Sequence, residues 1–171
     1  MRQQIRIASY YLMQLDQTKV MAEERTRCKR KGVGCALHNY TARAFFSNNG
    51  PARPNFGCLN IPGKCGCAHS EPRVVMNALR AGWKSGLIMT CTYSPCETCA
   101  NIIIDSGVVA GVVYDIMTTY PDRVCRGAEF LRSVMPVITA LELKKFLADP
   151  TTEVGTGAQL REWESISPVS K

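Results

Sequence analysis

The sequence contains no apolar run long enough to cross a bilayer, and its N-terminus lacks the charged-then-apolar layout of a signal peptide. These two absences argue against a membrane span and against export, and make the cytoplasm the expected location. Repeats, low-complexity segments and a second composition regime are absent as well. The 171 residues therefore read as one compact domain with an ample core. Acidic residues are in short supply: 14 Asp and Glu stand against 21 Lys and Arg, a formal net charge of +7. That excess points to an anionic partner, nucleic acid or a phosphorylated small molecule, without choosing between them. Cysteine is abundant at nine, and the number is odd. With no export signal, these residues read as metal ligands and buried thiols rather than disulfides.

Periodicity lays out the elements. Ile5 to about Thr26 has a helical spacing of Ile5, Ala8, Leu12, Leu15 and Met21. It runs into a basic cluster, Arg25, Arg27, Lys29, Arg30 and Lys31, which is either a solvated helix end or a phosphate-binding segment. Gly32–His38 and Ala42–Ser47 read as antiparallel strands joined by a turn containing Asn39. Asn48-Asn49-Gly50-Pro51 breaks the chain, and a Gly-, Pro- and Cys-rich loop follows to Ala68. A loop of that length suggests a functional or metal-tied segment. Helices are expected over His69 to about Trp83, Cys96–Ser106, Asp122–Val134 and Leu141–Leu147, with strands at Leu87–Tyr93, Val108–Tyr114 and Pro136–Thr139. A polar tail begins at Asp149-Pro150, with a short helix at Leu160–Ile166. The strand-helix-strand unit over 87–114 implies parallel pairing and a right-handed crossover. The fold class is α/β: three layers, α/β/α, around a mixed sheet of about five strands. Residues 1–149 form the functional domain, and 150–171 are either part of it or a flexible tail.

The chemistry concentrates in Ser94-Pro95-Cys96-Glu97-Thr98-Cys99. A strand leads in, a helix leads out, and Pro95 sits where a helix begins. Cys96 and Cys99 share one face of the first turn, where the positive end of the helix dipole lowers thiol pKa and favours a soft cation. His69-Ser70-Glu71 opens a second helix. His69, Cys96 and Cys99 make three protein ligands for zinc and leave a fourth position for water, the arrangement of a catalytic site. Glu71 stands beside that water as an acid–base group that does not itself ligate the metal. Cys-x-x-Cys also occurs in structural zinc knots, and Cys65-Gly66-Cys67 could complete one here. Pro before the pair, a helix after it and His-x-Glu at another helix start favour the catalytic reading. His-x-Glu followed by Pro-Cys-x-x-Cys is the pattern of zinc-dependent nucleobase deaminases.

Over residues 5–147 the chain resembles a deoxycytidylate (dCMP) deaminase of the cytidine deaminase-like superfamily. The carriers are Glu24–Cys28 leading into Val33–Ala36, Asn48-Asn49-Gly50-Pro51, His69-Ser70-Glu71, Ser94–Ala100, Ile103–Gly107, and Val113-Tyr114 with Tyr120-Pro121-Asp122. The resemblance implies conversion of dCMP to dUMP with release of ammonia by a homo-oligomer, a hexamer or smaller, with dCTP and dTTP as effectors. It implies that Asn49 hydrogen-bonds the deoxyribose, that Tyr120 packs near the base, and that Arg25 and Arg27 face the phosphate. Ser70 stands where Ala is usual, and Ser47-Asn48 precedes the loop asparagine in place of Gly-Tyr. A dCTP-accepting deaminase is an alternative, and a zinc-stabilised nucleic-acid-binding module is an alternative of another class. The resemblance also implies a second, structural zinc: Cys28 and Cys58 lie where such ligands fall, and Cys65 and Cys67 could complete a four-sulfur site.

Overall fold

The computed structural model describes residues 1–39, 44–51, 57–61, 65–119, 125–151 and 153–166. A five-stranded mixed sheet lies at its centre. Its strands are β1 (Gly34–His38), β2 (Ala44–Asn48), β5 (Leu87–Tyr93), β6 (Val109–Ile116) and β7 (Val137–Thr139), in the order β2-β1-β5-β6-β7. β1 pairs antiparallel with both β2 and β5, while β5, β6 and β7 run parallel. A separate two-stranded ladder joins β3 (Gly50–Pro51) to β4 (Cys67–Ala68).

Helices cover both faces, so the three-layer α/β/α arrangement read from the sequence is the one found. Alternation along the strands decides which side chain meets which layer. Leu87, Met89 and Cys91 join Val112, Tyr114 and Val137 on one face. There they pack against α2 (Ser70–Arg80), α3 (Glu97–Ser106) and α4 (Gly127–Arg132). Ile88, Val113 and Ile138 point the other way, towards α1 (Arg2–Arg25), α5 (Ala140–Ala148) and α6 (Val154–Ile166). Helix α2 buries Ser70, Glu71, Val74, Val75 and Ala78, one stripe at helical spacing. Helix α3 stops at Gly107, which adopts φ +64° and donates its N–H to Ile104 O. That left-handed conformation favours glycine and ends the helix.

Several boundaries differ from the sequence reading by a few residues, and three of the differences matter most. β1 starts at Gly34 rather than Gly32, because the Val33 N–H is taken by the Asn49 side chain instead of a neighbouring strand. The helix expected over Asp122–Val134 is α4, Gly127–Arg132; residues 122–124 lie outside the described residues. The tail helix is longer than Leu160–Ile166 and is not merely polar. Leu160 and Trp163, one turn apart, are fully buried against α1, α5 and β6, and Trp163 stacks edge-on with Tyr11. Trp163 also lies on Gly111 of β6, where an added Cβ would come within 2.7 Å of indole Cε2.

Candidate active site

Two loop-to-helix junctions meet on the α2–α3 face. His69 is the N-cap of α2 and Cys96 the N-cap of α3, and neither makes a side-chain capping bond. Both caps therefore keep their side chains free for another partner. His69 Nδ1 lies 3.6 Å from Cys96 Sγ and 3.3 Å from Cys99 Sγ. All three ligand atoms fall within 4.8 Å of one another. Zinc bonds of ~2.0–2.1 Å to nitrogen and ~2.3 Å to sulfur, at a tetrahedral angle, place N and S roughly 3.5 Å apart. The residues fit the ion. Both thiols are buried while the imidazole is exposed, so the cluster opens outward on one side.

Electrostatics support the same fit. A hydrogen bond from the Cys99 thiol, with help from His69, brings the Cys96 pKa down to about 4 against the opposing effect of burial. Cys99 is pushed the other way, first by its hydrogen bond to Cys96 and then by burial. His69 rises to about 9, chiefly through its hydrogen bond to Cys96, with the Glu71 charge adding to it. Three donors are sharing protons in the place where one cation would satisfy them all. Glu71, on the first turn of α2, is only 4% exposed. Burial raises its carboxyl pKa, opposed by its own backbone N–H and by His69. A raised carboxyl pKa beside an open metal cluster suits a group that must both take and give a proton.

Segments remote in sequence brace the Cys96 turn. Gly127 packs directly against Pro95 and Cys96, and an added Cβ would come within 2.6 Å of the Cys96 carbonyl carbon. Arg126 N–H donates to Glu97 Oε1 at 3.3 Å, and Cys125 Sγ–H to Pro95 O at 3.8 Å. Thr118 N–H donates to Ser94 Oγ at 2.8 Å, and its hydroxyl donates to Ser94 O. Sequence reading assigned no role to Gly127 or Thr118. The signal for Gly127 is only a glycine at the start of an amphipathic stretch.

On the expected substrate side the placement is mixed. Asn49 is buried, and its amide holds the loop between α1 and β1. Its Oδ1 accepts from Val33 N–H (3.0 Å) and Thr26 Oγ1–H (2.8 Å), and its Nδ2 donates to Lys31 O (2.8 Å). Arg27 is exposed and lines a groove of about 520 Å³ with Ser47, Pro51, Ala68, Pro72 and Arg73. That groove runs past the neighbours of His69 and Glu71. Arg25 is exposed at the end of α1, and its carbonyl accepts from Asn48 Nδ2–H at 2.6 Å. Tyr120 lies outside the described residues. Arg73, not anticipated, donates to Gly50 O (2.9 Å) and Pro51 O (2.6 Å), pinning the loop that carries Asn49. Its place two residues after Glu71 on the helix was the available signal.

The structure also brings Cys28, Cys58, Cys65 and Cys67 together, with their sulfurs within 4.8 Å of one another. Cys28 and Cys58 are buried, 4.0 Å apart. The Cys58 pKa falls to about 7, led by the backbone N–H of Asn60, while burial and the neighbouring thiols raise Cys67. Cys65 and Cys67 thus join this cluster and not the one around Cys96 and Cys99.

Among solved structures, dCMP deaminase from the cyanophage S-TIM5 in complex with dCMP and dUMP superposes with a TM-score of 0.63 at 20% identity, covering 74% of this chain and 93% of that one. Its apo form gives 0.61 at 20% identity, covering 78% and 97%. A diaminohydroxyphosphoribosylaminopyrimidine deaminase/reductase from Thermotoga maritima gives 0.61 at 19% identity, covering 86% of this chain and 42% of that one. At these identities the likeness is one of fold. No curated protein sequence matches the chain. Residues 9–115, which include His69, Glu71, Cys96 and Cys99, match the family described as the cytidine and deoxycytidylate deaminase zinc-binding region, and the chain belongs to that family.

Proposed function

We propose that the protein is a zinc-dependent hydrolytic deaminase that converts dCMP and water to dUMP and ammonia. The observation that carries this reading is a three-ligand cluster, open on one side, next to a buried carboxylate that is not part of it. His69, Cys96 and Cys99 hold the ion. When bound, zinc is a Lewis acid that lowers the pKa of water towards ~7. Glu71 takes the proton of the water that adds to C4 of the cytosine ring. It delivers that proton to N3, then takes the remaining proton from the hydroxyl on C4 and passes it to the exocyclic amine, which leaves as ammonia as the C4–N bond breaks and C4=O forms. With no ligating duty of its own, Glu71 is free to make both transfers.

For the rest of the nucleotide, the Asn49 amide hydrogen not used by Lys31 serves the deoxyribose. Arg25 and Arg27 serve the phosphate, and Tyr120 packs near the base. The monophosphate is favoured because the cyanophage enzyme of like fold is a dCMP deaminase and binds dCMP and dUMP. A dCTP substrate is the runner-up, and a nucleic-acid-binding module is not favoured. We read residues 1–149 as the deaminase domain, with helix α6 of the tail packing onto it through Trp163, and the assembly as a cytoplasmic homo-oligomer, a hexamer open to dCTP and dTTP as effectors. We assign Cys28, Cys58, Cys65 and Cys67 to a second, structural zinc: four sulfurs close a tetrahedral site.

A substrate panel tests the reading: cytidine, deoxycytidine, CMP, dCMP, dCTP and a cytosine-containing oligonucleotide, each followed by loss of cytosine absorbance. A preference for dCMP is expected, and turnover of the oligonucleotide alone would overturn it. Metal analysis tests the second site, with two zinc ions per chain expected and one per chain sinking it.

A further inference from the structure

Behind Glu71 lies a set of buried polar groups that the proposed chemistry leaves unused. Ser70, Cys35 and Cys91 are all fully buried. Cys35 and Cys91 face each other across the β1–β5 ladder with sulfurs 3.0 Å apart, and the Cys35 thiol donates to Cys91. Ser70 Oγ stands 3.2 Å from Cys35 Sγ and 3.1 Å from Glu71 Oε2. A hydroxyl has one hydrogen to give and two lone pairs to offer. An ionised carboxylate is a far better acceptor than a thiol sulfur, so the Ser70 hydrogen goes to Glu71. Cys35 Sγ packs against the other side of Ser70 and can only accept there, its own hydrogen being given to Cys91. Burial pushes both thiol pKa values up, so the sulfur pair stays protonated and adds no competing charge. Glu71 is itself buried, which makes each hydrogen-bond partner of its carboxyl group count.

We propose that Ser70 is a positioning residue particular to this chain, at a position where Ala is usual in the family: its hydroxyl holds the Glu71 carboxyl group in an orientation that favours proton transfer. This rests on the deaminase reading. With Glu71 ionised, Ser70 O–H donates to Oε2. With a proton on Oε2, the hydroxyl turns and accepts it in a hydrogen bond. No proton leaves Ser70 and no covalent bond changes. An alanine could do neither.

The test uses full-length, zinc-loaded protein. Ser70→Ala should lower kcat on dCMP about tenfold, the effect of one lost hydrogen bond to a charged group. KM and zinc content should stay within about twofold, and Ser70→Cys, a weaker donor of similar shape, should fall in between. Cys35→Ala, which keeps the Ser70–Glu71 pair, should retain kcat to within about threefold. Crystal structures of wild type and Ser70→Ala supply a readout apart from turnover: the Glu71 carboxyl group should shift by more than about 0.5 Å. An unchanged kcat in Ser70→Ala, or a Glu71 carboxyl group that has not moved, overturns the proposal. If wild type does not turn over dCMP, the deaminase reading fails, and the crystallographic comparison still decides the role of Ser70.

Discussion

The two cysteine clusters invite comparison, because similar donors are arranged for opposite ends. Around Cys96, two buried thiols and an exposed imidazole meet at the starts of two regular helices, each anchored in the core. Around Cys58, four thiols come from loop and ladder segments, with Asn60 turned to φ +59° to make the loop fold back. In the first, a rigid frame holds an incomplete set of donors. In the second, a complete set of donors lies on a frame with little regular structure of its own. An incomplete set on a rigid frame suits chemistry, and a complete set on a weak frame suits a clamp.

The sharpest break between them is expected from Glu71→Ala. Turnover should fall by roughly 10³-fold, with both ions retained, since an acid–base group supplies about 10²–10⁴. Persistent ammonia release in that variant would remove Glu71 from its role. Paired substitutions then separate the clusters. Cys96→Ser should cost the catalytic ion and turnover while sparing the other zinc. Cys58→Ser should lower Tm by about 5–10 °C and leave kcat at 25 °C within about threefold. Equal loss of activity from both would show that the clamp also shapes the chemistry. A smaller effect is expected from Gly127→Ala, which forces a Cβ into the Cys96 turn. Zinc affinity at the catalytic cluster should weaken by about 10–100-fold, read by competition with a chelator, with the four-sulfur site unchanged. The smallest effect is reserved for a site remote from both clusters. Gly111→Ala crowds Trp163 and should destabilise by about 1–3 kcal/mol without changing activity per folded molecule or metal content.

Much of this was legible in the chain, and for a physical reason. His69, Glu71, Cys96 and Cys99 each sit within two residues of a helix start, so spacing along the sequence translates directly into geometry. Strand β5 was readable residue for residue, because a run of apolar residues and β-branched threonines bounded by Gly86 and Pro95 leaves few other options. The substrate side was harder. The side-chain partners of Asn49 are a hydroxyl, a backbone amide and a backbone carbonyl of the 26–33 segment, contacts that no local pattern announces. Helix α6 begins well before Leu160 and runs through Gly155 and Gly157, residues of low helix propensity; burial of Leu160 and Trp163 outweighs that preference. Arg73 escaped notice because its targets are backbone oxygens, which carry no sequence signature.

The seating of Gly127 against the Cys96 turn also bears on how the molecule is made. On the ribosome, His69, Cys96 and Cys99 emerge before the glycine that packs against the Cys96 turn. The Cys96 turn therefore gains its brace only after all three donors have been synthesised, so in the order of synthesis the ligands precede the contact that steadies them.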